Sequence, residues 1–485
     1  MIPYIVSSFR GGVSDESDKG IRGSFKFGQN LDIHGRDDVL ACASTVTTLD
    51  STTITDLITT MVTARDGTTY CFGNTGSIYT VSGNVGDPVV TFAYNDENGK
   101  IRGAAEWKQS DGNTYLYWAT NTSVARATLN GSLDTPWAAG VANQNYWTNL
   151  DGAEWHTMKN AGGVLNIANG NFDATIDYDG NVNNAALNVR PGSLLKTIDE
   201  RDDYIIFGSY RGDNSEEGHI WSWITTATNW VQKKRIPIQG VNALINTEFM
   251  LLQGGDDGEL FYSDFVNAVP LAAVPNGGYA NPGAVGVEND LAVFGMSGLY
   301  STTSYPGIWS YGRRMKNRPA ALNYPYRLAQ TVAGSTISSV GAIAVVNGLI
   351  LASWGTTDDS VSDYGVDMVS STTRANAIYE GLEFNGGAPH IKKTFESVKV
   401  TTTPLPSGTS YSVKFKLDKE TDWRYAVLGD GSTTYSTATS TESEWSVGKT
   451  GHIYEVGAEL NASGADTPQI QSMVTYISNE QAFHG

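Results

Sequence analysis

Leu57-Ile-Thr-Thr-Met-Val-Thr-Ala64, Asp66-Gly67, Thr69-Tyr-Cys-Phe-Gly73, Asn74-Thr-Gly76 and Ser77-Ile-Tyr-Thr-Val81 read, in turn, as strand, polar turn, strongly apolar strand, glycine turn and strand. The turn-plus-second-strand core then returns six more times. It recurs as Asp111-Gly112 before Thr114-Tyr-Leu-Tyr-Trp118, Gly162-Gly163 before Val164-Leu-Asn-Ile-Ala168, and Asp202-Asp203 before Tyr204-Ile-Ile-Phe-Gly208. Asn246-Thr247 before Phe249-Met-Leu-Leu252, Asn289-Asp290 before Leu291-Ala-Val-Phe-Gly295, and Asn347-Gly348 before Leu349-Ile-Leu-Ala-Ser353 complete the series. A period of roughly 40 to 60 residues marks a repeat architecture, and four short strands fill such an interval. The expected fold is therefore all-β, a β-propeller of about seven blades. One irregular interval leaves six or eight blades open.

The flanking strands line up as well. First strands are expected at Leu57–Ala64, Gly103–Gln109, Trp155–Asn160, Leu194–Glu200, Val241–Asn246, Gly283–Val287 and Val340–Val346. Third strands are expected at Ser77–Val81, Ser123–Thr128, Ala174–Tyr178, His219–Trp223, Glu259–Ser263, near Leu299–Thr303, and at Val366–Ser370. Consecutive apolar residues in the second strands imply burial on both faces, as stacked blades require. Trp107, Trp118, Trp155, Trp221, Trp223, Trp309 and Trp354 read as blade packing.

Four segments follow. Residues 1–50 read as an arm, with a strand at Val39–Thr47 that could close the ring and remove a sheet edge. Residues 51–385 are the propeller, 390–478 a small C-terminal antiparallel β-sandwich, and 479–485 a tail. The sandwich rests on two-residue alternation: Tyr411, Val413, Phe415 and Leu417 against Ser410, Ser412, Lys414 and Lys416. Tyr454, Val456, Ala458 and Leu460 oppose Glu455 and Glu459, and Ile470, Ser472, Val474 and Tyr476 form a mixed third case.

With 32 basic and 51 acidic residues among 485, the formal charge is −19. Such a surface repels phosphate and argues against stable nucleic-acid binding, while still permitting DNA to slide past. Cys42 and Cys71 give no disulfide framework and read as buried free thiols. The N-terminus lacks a signal-peptide pattern, and no apolar run reaches transmembrane length.

Chemistry-bearing motifs are weak. His34, His156, His219, His390, His452 and His484 are dispersed and read as surface or turn residues rather than metal ligands. Gly448-Lys449-Thr450 lacks the earlier glycine and the helix of a phosphate loop. Gly295-Met-Ser297-Gly-Leu299 fails as a nucleophile elbow at its fifth position. Asp177-Tyr-Asp-Gly-Asn181 lacks the distal glutamate of a calcium loop and reads as a hairpin turn. Arg211-Gly-Asp213 is a tripeptide in a blade loop. Sialidase-type Asp boxes are absent, though some carboxylate pair could still be set for glycoside hydrolysis. No catalytic residue, cofactor or metal ligand set is assigned. The most basic stretch, Arg313, Arg314, Lys316 and Arg318, falls in Tyr305–Ser335. That segment reads as a loop beyond the disc and a candidate subunit contact.

Ser8-Phe-Arg-Gly-Gly-Val13, Phe25-Lys-Phe27, Gln29-Asn-Leu-Asp32 and Gly307-Ile-Trp-Ser-Tyr-Gly-Arg-Arg314 resemble segments of tailed-bacteriophage virion proteins. The plan of arm, propeller and C-terminal β-domain with Thr403-Pro-Leu-Pro-Ser-Gly408 resembles the tail nozzle or tail-hub proteins of short-tailed phages. The resemblance implies a non-enzymatic virion component, made in the bacterial cytoplasm and assembled as a ring, most often six-fold. It would contact other tail proteins and gate genome DNA without holding it. Charge reversal at Arg313 and Arg314 would then impair assembly. The alternatives are a host-glycan-binding tail module and a carbohydrate-active propeller enzyme.

Overall fold

The computed structural model describes residues 2–14, 23–35, 38–84, 87–129, 143–212, 217–298, 305–329, 339–346, 348–357 and 362–479. Among them every regular element is a strand. No helix is long and apolar enough to cross a membrane. The chain divides into two units, one of residues 47–308 and 328–368, the other of residues 1–46, 309–327 and 369–485.

Seven four-stranded sheets follow one another along the chain. The first is built of Ile58–Thr63, Thr69–Gly73, Ser77–Asn84 and Asp87–Asn95. The second uses Gly103–Lys108, Thr114–Ala119, Val124–Thr128 and Asn143–Trp147, and the third Met158–Ala161, Val164–Asn169, Phe172–Ile176 and Val182–Asn188. The fourth comprises Ser193–Arg201, Tyr204–Arg211, Gly218–Trp223 and Gln232–Ile236; the fifth, Ala243–Asn246, Met250–Gln253, Glu259–Ser263 and Ala268–Ala273. The sixth runs Tyr279–Glu288, Leu291–Ser297, Gly307–Gly312 and Ala321–Tyr326, and the seventh Ser339–Val346, Leu349–Thr357, Ser362–Arg374 and finally Ser44–Asp50. This is a seven-bladed β-propeller, and an N-terminal strand supplies the outermost position of its last blade.

The second strands are buried almost throughout, as their unbroken apolar runs require. Apolar clusters lock blades one to five in succession and blade seven to blade one. Tyr70, Phe72 and Ile78 pack with Leu116 and Trp118 between blades one and two. Ile206 and Ile220 pack with Leu244 and Leu252 between four and five. The circle closes where Ile58, Cys71 and Tyr79 meet Ala342, Leu351 and Val366 of blade seven.

Hydrogen bonds repeat that closure near the axis. Ser353 Oγ donates to the Ile58 carbonyl at 2.7 Å and accepts from the Ala342 amide at 2.8 Å. Ser297 Oγ accepts the Val340 amide at 3.0 Å, and Thr59 Oγ1 donates to the Ile101 carbonyl at 2.7 Å. Inner strands approach so closely that a Cβ at Gly103, Gly283 or Gly341 would overlap the carbonyl oxygen of His156, Thr59 or Ile58.

Two expectations concern the sixth blade. The third strand expected near Leu299–Thr303 lies outside the described residues; the third described strand of this blade is Gly307–Gly312. Residues 305–329 of the segment Tyr305–Ser335 are therefore not a loop beyond the disc, and the remainder lies outside the described residues. Ile308 and Trp309 are fully buried, so this segment satisfies its backbone as sheet, and Arg313–Arg318 is the turn joining two strands.

The other unit carries a β-sandwich. One sheet orders Ile2–Val6, Ile470–Asn479, Lys393–Thr402 and Glu442–Gly451. Its partner orders Gly12–Val13, Ser24–Gln29, Ala377–Gly381, Tyr454–Asn461, Ser410–Leu417 and Arg424–Tyr425. Residues 2–29, read from the sequence as an arm, supply three of these strands. Phe9, Phe25 and Phe27 demand burial and find it here; Phe9 meets Tyr379 edge-on at 5.5 Å. Across the sandwich Phe395 stacks on Tyr454 with centroids 4.4 Å apart.

Alternation holds only in part. Tyr411, Val413, Phe415 and Leu417 are buried, but so are Ser412 and Lys414 behind them. Lys414 reaches Glu380 at 3.4 Å and Glu459 at 3.7 Å and lies over Trp423, so ion pairs and an aromatic face cover that side too. On the last strand the buried set is Met473, Thr475 and Ile477, because a bulge between Thr401 and Thr402 pairings flips the register after Ile470.

A buried carboxyl in blade seven sets a pH dependence. Asp367 is almost fully buried, accepts Trp354 Nε1–H at 2.8 Å and the Ala329 amide at 2.6 Å, and is pushed up to about 6 by desolvation. Between pH 4 and 6 the folded chain holds this proton while the unfolded chain has released it. Stability from this group therefore falls as pH rises through that window, by about 3 kcal/mol, and is flat above it. Urea unfolding of wild type and Asp367→Asn at pH 4, 5, 6 and 7 checks this. The stability difference, wild type minus variant, is expected to shrink with rising pH.

Candidate functional site

The basic turn between Gly307–Gly312 and Ala321–Tyr326 brings its four candidate residues together, with different roles. Arg313 Nη1 donates to the Lys316 carbonyl at 3.0 Å and to the Arg318 carbonyl at 3.5 Å. The Arg318 amide closes the turn on the Met315 carbonyl, and its Nη1 donates to the Gly35 carbonyl at 2.6 Å. Arg313 and Arg318 thus hold the turn's shape and tie it to the N-terminal segment. Arg314 and Lys316 are exposed. The turn's charge is felt at His34, whose imidazole falls to about 4 through desolvation first and then through Arg314.

A second cluster lies where the chain enters the inner strands of blades two to five, and nothing in the sequence signals it. Arg102 and Lys196 both lie over the indole of Trp155, at 4.8 and 5.7 Å from its centroid. Lys196 Nζ donates to Asn242 Oδ1 at 2.7 Å and also approaches the Tyr210 ring at 5.5 Å. Desolvation lowers the Lys196 ammonium to about 8, so it remains largely charged at neutral pH. Desolvation also lowers the Arg102 guanidinium, and its Nε is buried without a hydrogen-bond partner. Lys196 opens on a cleft of about 250 Å³ lined also by Glu154, Tyr210, Asn242, Asp256 and Tyr279. The cleft offers two cations, Lys196 and the Glu217-paired Arg211, with amide and aromatic groups and two exposed carboxylates.

The remaining motifs take structural places. Asp177–Asn181 is a hairpin turn: Asp177 accepts the Asn181 amide at 2.8 Å and its side-chain amide at 2.9 Å, and these bonds hold its carboxyl below the usual range. Gly448, Lys449 and Thr450 lie inside the strand Glu442–Gly451. Gly295, Met296 and Ser297 end the strand Leu291–Ser297, with Leu299 outside the described residues. Arg211 pairs with Glu217 at 3.1 Å, and Asp213 is outside the described residues. Among the described residues no three of His, Cys, Asp and Glu gather as a metal site.

His156 and His219 correct the expectation of surface or turn histidines. Both are buried in blades, with His156 Nδ1 2.8 Å from the Ala168 carbonyl and His219 paired to Ser209. Their imidazoles lose charge to desolvation, His219 falling to about 4, and serve as polar packing. Cys42 and Cys71 are free and buried, with desolvation pushing their thiols to about 11 and about 12.

No protein-family model and no curated protein matches the chain. Among solved structures it is similar to the WD40 β-propeller domain of Doa1, at 11% identity and TM-score 0.43, over 66% of this chain and 96% of that one. It is also similar to the extracellular domain of a hybrid two-component system of B. thetaiotaomicron, at 12% identity and TM-score 0.43. That match spans 79% of this chain but only 44% of the other. A chain of the Mitotic Checkpoint Complex matches at 11% identity and TM-score 0.42, over 68% and 92%. The chain is a β-propeller protein by its own seven blades.

Proposed function

We propose that the chain is a non-enzymatic structural component of a tailed-phage virion, a ring-forming nozzle or tail-tube protein that gates and conducts the genome. The observation that supports this reading is the use made of the phage-like N-terminal residues. Phe9, Val13, Phe25 and Phe27 are built into the sandwich core, so the segment carrying the resemblance is a packed structural element. A net charge of −19 suits a lumen that DNA must traverse without sticking.

Within this reading Arg314 and Lys316 are the contact cations, because both are exposed on the turn. The double substitution Arg314→Glu and Lys316→Glu is expected to weaken ring assembly by about tenfold or more, through like-charge repulsion against acidic neighbours. Native mass spectrometry of the purified chain reads the copy number, with six expected, and peptide mass spectrometry of purified particles reads its presence. A chain that stays monomeric and is absent from particles overturns the proposal.

The host-glycan alternative has its own support in the Lys196 cleft. Hydrolysis is less well served there. Glu154 and Asp256 are exposed, whereas a general acid needs an apolar surround to keep its proton.

A further inference from the structure

We infer that the cleft around Lys196 binds a carboxylate-bearing sugar, a sialic or uronic acid residue of a glycan. The primary observation is a pair of cations held over one indole with no carboxylate at ion-pair distance; Glu154, at the cleft, is a charge that both feel. Neither Lys196 nor Arg102 makes an ion pair among the described residues, although 51 carboxylate side chains are available to this sequence. Both are instead parked over one indole, which holds a cation in place without neutralising it. Lys196 uses one of its three N–H donors, on Asn242, and lines the cleft with the rest. A partly desolvated ammonium with donors to spare favours an anionic ligand.

The other lining groups narrow the class. Glu154 and Asp256 border the same cleft and accept hydrogen bonds from hydroxyl groups. Arg211 lines the cleft too, but its charge is met by Glu217, and the two carboxylates would repel a second negative charge, so a monoanionic carboxylate fits better than a phosphate dianion. Tyr210 and Tyr279 are partly exposed and supply flat apolar faces of the kind that pack on sugar rings. At about 250 Å³ the cleft is a little smaller than the usual ligand pocket and suits one sugar residue rather than an extended chain. Arg102 contributes field rather than contact, since it is not among the lining residues.

Titration of the full chain with N-acetylneuraminic acid, glucuronic acid, galactose and inorganic phosphate, followed by ligand-observed NMR, tests the site. At least one acidic sugar is expected to bind with Kd in the millimolar range, and galactose and phosphate about tenfold more weakly. Lys196→Gln is expected to cost about tenfold in affinity for that sugar. Glu154→Gln, at an exposed position that leaves the fold intact, is expected to tighten binding about two- to fivefold by removing a like charge. The inference is overturned if neither acidic sugar binds, or if galactose or phosphate binds as well as they do. It is equally overturned if folded Lys196→Gln or Glu154→Gln binds as wild type does. The site does not rest on the virion reading: a failed titration leaves ring assembly untouched, and absence from particles leaves the titration untouched.

Discussion

Gly341→Ala is expected to destabilise the propeller by about 3 kcal/mol, and Gly341→Val to prevent the ring from closing. Gly341 lies on the inner strand of blade seven, where a Cβ would overlap the Ile58 carbonyl oxygen and press on Leu57 at 3.0 Å. That carbonyl cannot retreat freely, because it accepts the Ser353 hydroxyl that joins the seventh blade to the first. Relief of the clash would break a buried hydrogen bond, and an unmet buried acceptor costs about 1–3 kcal/mol. Gly152→Ala is the control, since nothing lies within 4 Å of its added methyl. Urea unfolding is expected to separate the two glycines by most of the 3 kcal/mol. Equal stability would show that the inner strands slide apart more easily than their geometry implies.

Trp118→Ala is expected to cost about 5 kcal/mol, a large part of the margin by which a domain stays folded. The indole is fully buried between blades one and two, against Phe72 and Tyr94, and its Nε1–H donates to Asp96 at 2.6 Å. Truncation opens a cavity and strips a donor from a carboxylate that is itself only 1% exposed. Trp118→Phe separates the two losses. It keeps most of the volume but not the N–H, and is expected to cost about 2 kcal/mol. Guanidinium unfolding followed by circular dichroism measures both. A phenylalanine variant as damaged as the alanine one would mean that the hydrogen bond to Asp96, not the packing, dominates this site.

The second strands were legible because burial on both faces leaves unbroken runs such as Leu291-Ala-Val-Phe, which turns then bracket. Outer strands were not. Val182–Asn188 exposes most of its residues and has the composition of a loop. The sandwich strands at 2–29 were hidden for another reason: Ile2–Val6 and Ser24–Gln29 find partners, Ile470–Asn479 and Ala377–Gly381, at the far end of the sequence, and no local pattern names a distant neighbour. Residues 305–329 misled because the longest interval between repeats falls there and carries Arg313 to Arg318, so strands and a turn looked like one long loop. The Arg102, Trp155 and Lys196 cluster had no motif to find. Its members come from separate blades, and only the circular arrangement gathers them.

The pairing of Ile2–Val6 with Met473–Ile477 has a consequence for synthesis. At about 5–20 residues per second, a ribosome needs roughly half a minute to a minute and a half to travel from one partner to the other. Throughout that interval the first strands, with Phe9 and Phe25, have emerged without the sheets that will shelter them. Blades one to six can fold behind the moving ribosome, but the sandwich must wait until Ile470–Asn479 has been made. Nascent chains of this protein therefore offer a binding site to holdase chaperones that the finished molecule no longer displays.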